Sequence, residues 1–120
     1  MPKPVGKISI QPRFRLLRGK EIAFGPGKAL LLEKIAETGS IAKAAKKLDM
    51  SYMRAWLLLK TMEKCFNQPL VELVRGGKKG GGAQLTSTGL QVIKIYRDIE
   101  NKSIASTKIL QKQLFGLLKD

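Results

Sequence analysis

Apolar residues recur at helical spacing through the middle of this chain and at alternate positions near its start. Ile41, Ala44, Ala45 and Leu48 stand at i, i+3, i+4 and i+7, one apolar face of a short helix. Ala55, Leu58, Leu59, Met62 and Phe66 cluster on one side of a second helix over residues 51–66, taking about 100° per residue. Leu31, Leu32 and Ile35 give residues 28–38 a buried side, with Lys28, Glu33, Lys34 and Glu37 expected in solvent. Upstream, Ile8 and Ile10 alternate with polar residues, so residues 7–24 are expected to be extended. There RFRLL and KEIAF flank Arg18-Gly19-Lys20 as the arms of a hairpin, and Pro12 suits an edge or a break between strands. Residues 70–75 (LVELVR) read as a strand and residues 83–86 as its partner. From Thr86 the pattern is helical to near the end. No Gly or Pro interrupts it between Gly89 and Gly116, which predicts one helix of about 27 residues, roughly 40 Å long.

Polar punctuation fixes the joints. Gly25-Pro26-Gly27 stops the hairpin, Gly39 ends the first helix, and Ser40, Ser51 and Thr86 are placed as N-caps. Only Asp49-Met50 separates the second helix from the cap of the third, too short a gap for antiparallel packing along their whole length. The small pair Ala44 and Ala45 lets the two helices cross closely at a steep angle. That is helix-turn-helix geometry, in which the later helix enters the DNA major groove. Its outward side carries Met53, Leu57, Lys60 and Lys64, with Tyr52 and Trp56 on one flank and Arg54 and Thr61 on the other. Exposed Met53 and Leu57 suit contact with thymine methyls or sugars. The alternative is a helix buried all round, which would demand partners for Arg54, Lys60 and Lys64. Trp56 fits either a half-buried prop or a base contact.

Charge narrows the partner. Across 120 residues, 23 Lys/Arg face nine Asp/Glu, a formal net charge of +14 with no histidine. Such a field favours a polyanion: DNA, RNA or an anionic membrane surface. Arg13, Arg15 and Arg18 are candidates for phosphate backbone, although an exposed strand would look the same. No run of about 18 apolar residues exists, and the N-terminus lacks a signal-peptide core, so a cytoplasmic protein with no membrane partner is expected. One cysteine, Cys65, and no histidine leave no adequate zinc ligand set and no recognisable catalytic apparatus. Neither enzyme activity, metal nor cofactor is expected.

Two segments extend the DNA reading. Residues 76–82 (GGKKGGG) let backbone N–H groups approach phosphate while Lys78 and Lys79 add charge. The spacing fails as a Walker loop, because Gly76 to Gly81 is followed by Gly82-Ala83 rather than Lys-Ser/Thr. A two-stranded wing contacting DNA through Arg75, Gly77, Lys78, Lys79, Gly80 and Gly81 fits better, with a plain surface loop as the alternative. In the last helix, Val92, Tyr96, Ile99, Ser103, Ser106, Leu110, Gln113 and Leu117 follow a four-and-three spacing. A homodimer packing this seam on its twin is the simplest burial; packing back on its own domain is the alternative.

In order, the hairpin, helix, GSIAKAAKKL, SYMRAW helix, glycine-rich wing, LTSTG and long helix resemble the N-terminal DNA-binding domain of ModE-type molybdate-responsive regulators. That domain is related to the winged helix of LysR-type regulators. The most specific matches are Ser51-Tyr52 with Ala55-Trp56, Leu70-Val71-Glu72, and residues 76–86. The resemblance implies a homodimeric transcription regulator on inverted-repeat operators. Sensing members of the family carry a C-terminal molybdate-binding region that these residues lack, which puts direct oxyanion sensing in doubt and leaves a stand-alone regulator, one signalled from elsewhere, or a fragment of a longer regulator.

The expected fold is mainly α with a small β component (α+β). Residues 1–88 form a winged helix-turn-helix with an N-terminal hairpin, residues 89–120 a long dimerisation helix, and no effector domain is expected. Double-stranded DNA would be read by Ser51, Tyr52, Met53, Arg54, Trp56, Leu57 and Lys60 together with the wing. An architectural DNA-binding protein of little specificity is the competing reading. Base-stacking on RNA is disfavoured by the few aromatics, four Phe, two Tyr and one Trp.

Overall fold

The computed structural model describes residues 6–75 and 82–119. Strands β1 (Leu16–Arg18) and β2 (Glu21–Phe24) form an antiparallel hairpin with Arg18 opposite Glu21 and Leu17 opposite Ile22. Gly19 makes the turn at φ 58°, a left-handed conformation open to glycine without a Cβ penalty. The extended run expected from residue 7 narrows here. Residues 7–15 form no strand, because they lie along the last helices rather than beside β1.

Helix α1 (Pro26–Thr38) starts with proline in its first turn and stops at Gly39, φ 71°, whose N–H donates to Ile35 O. Helix α2 (Ile41–Lys47) follows, capped by Ser40 Oγ, which accepts from Lys43 N–H at 3.1 Å. Its end is a Schellman turn: Asp49 takes φ 54°, Met50 N–H reaches back to Ala45 O, and Asp49 N–H to Lys46 O. Helix α3 (Tyr52–Cys65) then begins under Ser51 Oγ, which accepts from Arg54 N–H at 3.0 Å. Strands β3 (Val71–Val74) and β4 (Gly82–Leu85) pair antiparallel, Val71 opposite Leu85 and Val74 opposite Gly82. This order of elements, with a hairpin wing after the third helix, is a winged helix.

The core holds Phe24, Leu31, Leu32, Ile35, Ile41, Ala44, Ala45, Ala55, Met62, Leu70, Ala83 and Tyr96. Lys28 departs from its expected place in solvent: it is 6 % exposed, and its ammonium donates to the Ile22 carbonyl beneath the hairpin. Burial pushes that ammonium below the usual lysine range.

The single long helix is corrected to two, α4 (Ser87–Ser106) and α5 (Lys108–Phe115). Thr107 breaks the run at φ −109°, ψ 14°. Its hydroxyl donates to Ser103 O at 2.7 Å, and Gln111 Nε2 donates to Ile104 O at 2.8 Å and to Thr107 Oγ1 at 2.9 Å. The Thr107 hydroxyl thus serves the Ser103 carbonyl that the interrupted helix leaves without its N–H, while Ile104 O also accepts from Thr107 N–H at 3.4 Å. The expected boundary at 88/89 falls inside α4.

Candidate nucleic-acid interface

Three alanines bring α3 onto its support. Ala44, Ala45 and Ala55 are all at most 1 % exposed, so α2 and α3 meet without a large side chain between them. Met62 seals the far end of the same stripe, and Leu58, Leu59 and Phe66 pack against the core from its margins. Phe66 lies edge-on to Phe24, ring centres 6.2 Å apart. With that side fixed, the opposite side is forced outward. Met53 is 61 % and Leu57 58 % exposed, and Tyr52, Arg54 and Lys60 also stand in solvent.

Trp56 is half-buried, with Lys60 Nζ 4.4 Å from its ring centre. Lys60 also touches Glu63 at 3.4 Å, an exposed pair of small energetic weight. Arg54 is paired with no carboxylate among the described residues. The Ser51 oxygen is engaged in capping, which leaves its O–H free to donate.

The flank of α3 faces the wing across two adjoining clefts. Tyr52, Leu73 and Arg75 line one, together with the start of α2 at Ser40 and Ile41. Trp56, Leu59, Lys60 and Leu73 line the other, of about 210 Å³. Leu73 is 69 % exposed. The structure therefore brings Tyr52 of α3 together with Arg75 of the wing, and Trp56 and Lys60 together with Leu73. Gly77, Lys78, Lys79, Gly80 and Gly81 lie outside the described residues.

Sequence reasoning left α2 out of the site. Lys43 and Lys46 stand exposed on its outer side, without an acidic partner among the described residues. Lys47 is held instead by Glu37 at 2.9 Å, which also takes Lys34 at 3.0 Å. Hydrogen bonds from Lys47 and then Lys34 pull the Glu37 carboxyl down to about 2. The signal was available in the i, i+3 spacing of Lys43 and Lys46.

The seam residues divide. Tyr96, expected at a dimer interface, is 6 % exposed and belongs to the chain's own core, its ring 5.0 Å from that of Phe24. Its hydroxyl donates to Phe14 O at 2.7 Å. Val92 packs against the same core. Both are covered because residues of the N-terminal limb and α1 occupy that side of α4. Ile99, Ser106, Leu110 and Leu117 are exposed and Ser103 is half-buried. Ile95, Ile109, Leu114 and Leu118, which the four-and-three seam omitted, are also more than half exposed. No buried residue occurs in α5.

Among the described residues no cluster of His, Cys, Asp or Glu could hold a metal ion, and no helix is long and apolar enough to cross a membrane.

Comparison with known proteins agrees with this architecture. Residues 28–90 match the family described as bacterial regulatory helix-turn-helix protein, lysR family. Over 70 residues the chain is 46 % identical to the molybdenum transport protein ModE of Azotobacter vinelandii, covering 58 % of this chain and 26 % of that one. Over 95 residues it is 42 % identical to the DNA-binding transcriptional dual regulator ModE of Escherichia coli K12, covering 79 % and 33 %. The match thus spans about a quarter to a third of the length of these relatives. A mutant of Lactococcus lactis ZitR shares the fold, with a TM-score of 0.54 at 22 % identity over 90 % of this chain and 72 % of that one. The chain belongs to the lysR family of bacterial regulatory helix-turn-helix proteins, and its winged-helix domain is of the ModE type.

Proposed function

We propose that the chain is a sequence-specific double-stranded-DNA-binding transcriptional regulator that acts as a homodimer in the cytoplasm, and that it has no catalytic role. The observation that carries this reading is the outward face of α3. Its cap, its alanine crossing and its buried stripe leave Tyr52, Met53, Arg54, Leu57 and Lys60 projecting from one rigid helix. In this reading α3 lies in the major groove. Tyr52, Met53, Leu57 and Trp56 meet base edges and methyl groups, while Ser51, Arg54, Lys60, Arg75, Lys78 and Lys79 meet phosphates. Arg54 is the one side chain of α3 suited to a bidentate guanine contact, so shape and methyl groups carry much of the specificity.

The printed names of the relatives, transcriptional regulator and molybdenum transport protein, support a role in molybdenum-linked regulation. Residues 1–88 would hold the operator. The exposed apolar residues Ile99, Leu110 and Leu117 in residues 89–120, with Ile95 beside them, would hold the second copy.

Selection of bound sites from a random duplex pool tests the reading. An enriched inverted repeat is expected. Equal affinity for selected and random duplexes would instead identify an architectural DNA-binding protein.

A further inference from the structure

Helix α4 is fastened to the body at its root, by the buried Tyr96 ring against Phe24, and by Arg97. At its root, Thr86 Oγ1 caps Gly89 N–H at 3.0 Å and donates to Pro69 O at 2.6 Å. Gly89 there lies so close to Leu70 that a Cβ would sit 2.2 Å from its carbonyl oxygen. The last of these fastenings is Arg97, one residue after the buried Tyr96. Its Nη2 and Nε donate to the two oxygens of Glu33 on α1, at 2.6 and 3.1 Å, and its Nη1 donates to Glu100 on α4 itself at 2.7 Å. Glu100 is 9 % exposed and is the last buried residue of α4. Beyond it six residues of α4 remain, of which Ser103 and Ile104 line a cleft with Ile10, Pro12 and Phe14 of the N-terminal limb.

Partly exposed ion pairs add little stability, and an apolar side chain would seal the same seam. Yet two of the nine acidic residues in a chain of net charge +14 are committed to this one guanidinium. What a fork-to-fork contact supplies, and apolar packing does not, is a fixed direction. A planar guanidinium on a carboxylate adds a directional contact to the packing of the neighbouring Tyr96 ring. Hydrogen bonding to Glu33, ahead of Glu100, also holds the Arg97 charge firmly in place.

We propose that Arg97, through Glu33 and Glu100, is a positioning residue that fixes the angle of α4 to the helix-turn-helix body. It thereby selects the spacing between the two half-sites that a dimer can read. The proposal rests on the paired-site reading above. A tilt of about 10° at Arg97 moves Ser106, about 14 Å further along α4, by about 2 Å, on the order of two-thirds of a base pair. Operator half-sites mirror the geometry of the dimer that binds them.

The test uses the full chain and an inverted repeat selected from the random pool, with derivatives carrying one or two base pairs more or fewer between the half-sites. The wild type is expected to prefer one spacing. Arg97→Met should flatten that preference by about tenfold while affinity for an isolated half-site stays unchanged, and Arg97→Lys should restore part of it. Glu33→Gln, which keeps the shape at α1, should flatten it in the same direction and serves where Arg97→Met does not fold. A wild-type spacing profile in these variants, or an equal loss at every spacing, would overturn the proposal alone. A wild type indifferent to spacing would overturn the paired-site reading along with it.

Discussion

The hydroxyl of Tyr96 donates to the carbonyl of Phe14 at 2.7 Å, joining positions 82 residues apart. This bond ties the N-terminal limb to α4, and the same ring meets Phe24 edge-on. Tyr96→Phe keeps the ring and leaves Phe14 O without its donor, a loss of about 1 kcal/mol. Tyr96→Ala empties part of the core as well and should cost about 3 kcal/mol or more. Urea denaturation of the two variants measures both.

Gly89 is irreplaceable for a different reason. The carbonyl that a Cβ would strike belongs to Leu70, a backbone atom that also accepts from Thr86 N–H. Gly89→Ala must move the start of α4 away from β3 and is expected to destabilise the fold by about 2–3 kcal/mol. Thermal melting should show it.

Glu37 makes stability depend on acid. Its carboxyl titrates near 2 in the folded chain against 4.5 ordinarily. Between those values the unfolded chain binds a proton that the folded chain does not. The contribution is therefore fully present above about 4.5 and is lost as pH falls toward 2. Glu37→Gln should melt with a shallower dependence on pH across that window. Added salt should shrink the difference, since the carboxylate and its lysines face solvent.

Met53 and Leu57 separate folding from recognition. Both are exposed, so alanine at both positions should change stability by no more than about 0.5 kcal/mol. Affinity for the selected operator should fall by about 1–3 kcal/mol, with non-specific duplex binding unchanged. Titration against operator and random duplex decides it.

For Lys78 and Lys79 the expected signature is ionic. If both meet phosphates, replacing them by alanine lowers the slope of log affinity against log salt by about 0.9 for each phosphate no longer neutralised. An unaltered slope would remove these lysines from the DNA.

Much of the fold was legible because its punctuation is local. Ser40, Ser51 and Thr86 each accept from the N–H three residues on, as a capping residue does, and the Ala44–Ala45 pair announces a close crossing. The outward placement of Met53 and Leu57 follows from the same helical arithmetic. What escaped was non-local. Lys28 reads as a solvated first-turn lysine, and only the returning hairpin lays the Ile22 carbonyl over it. Glu33 and Arg97 are 64 residues apart, so no pattern along the chain reveals their pairing. Tyr96 sits at the phase that a dimer seam would occupy, but phase does not say whether the chain itself covers that side. The interruption at Thr107 carries no glycine or proline; it is written in hydroxyl and amide hydrogen bonds that compete with the helix.

That interruption gives the last two helices a modular character. In an unbroken helix, one inserted residue rotates everything downstream by about 100° and scrambles every contact beyond it. Thr107 resets the count, so α5 can be lengthened, trimmed or exchanged at this junction while α4 keeps its phase against the body. The junction thus divides the part of the chain packed on the core from a helix, α5, with no buried residue.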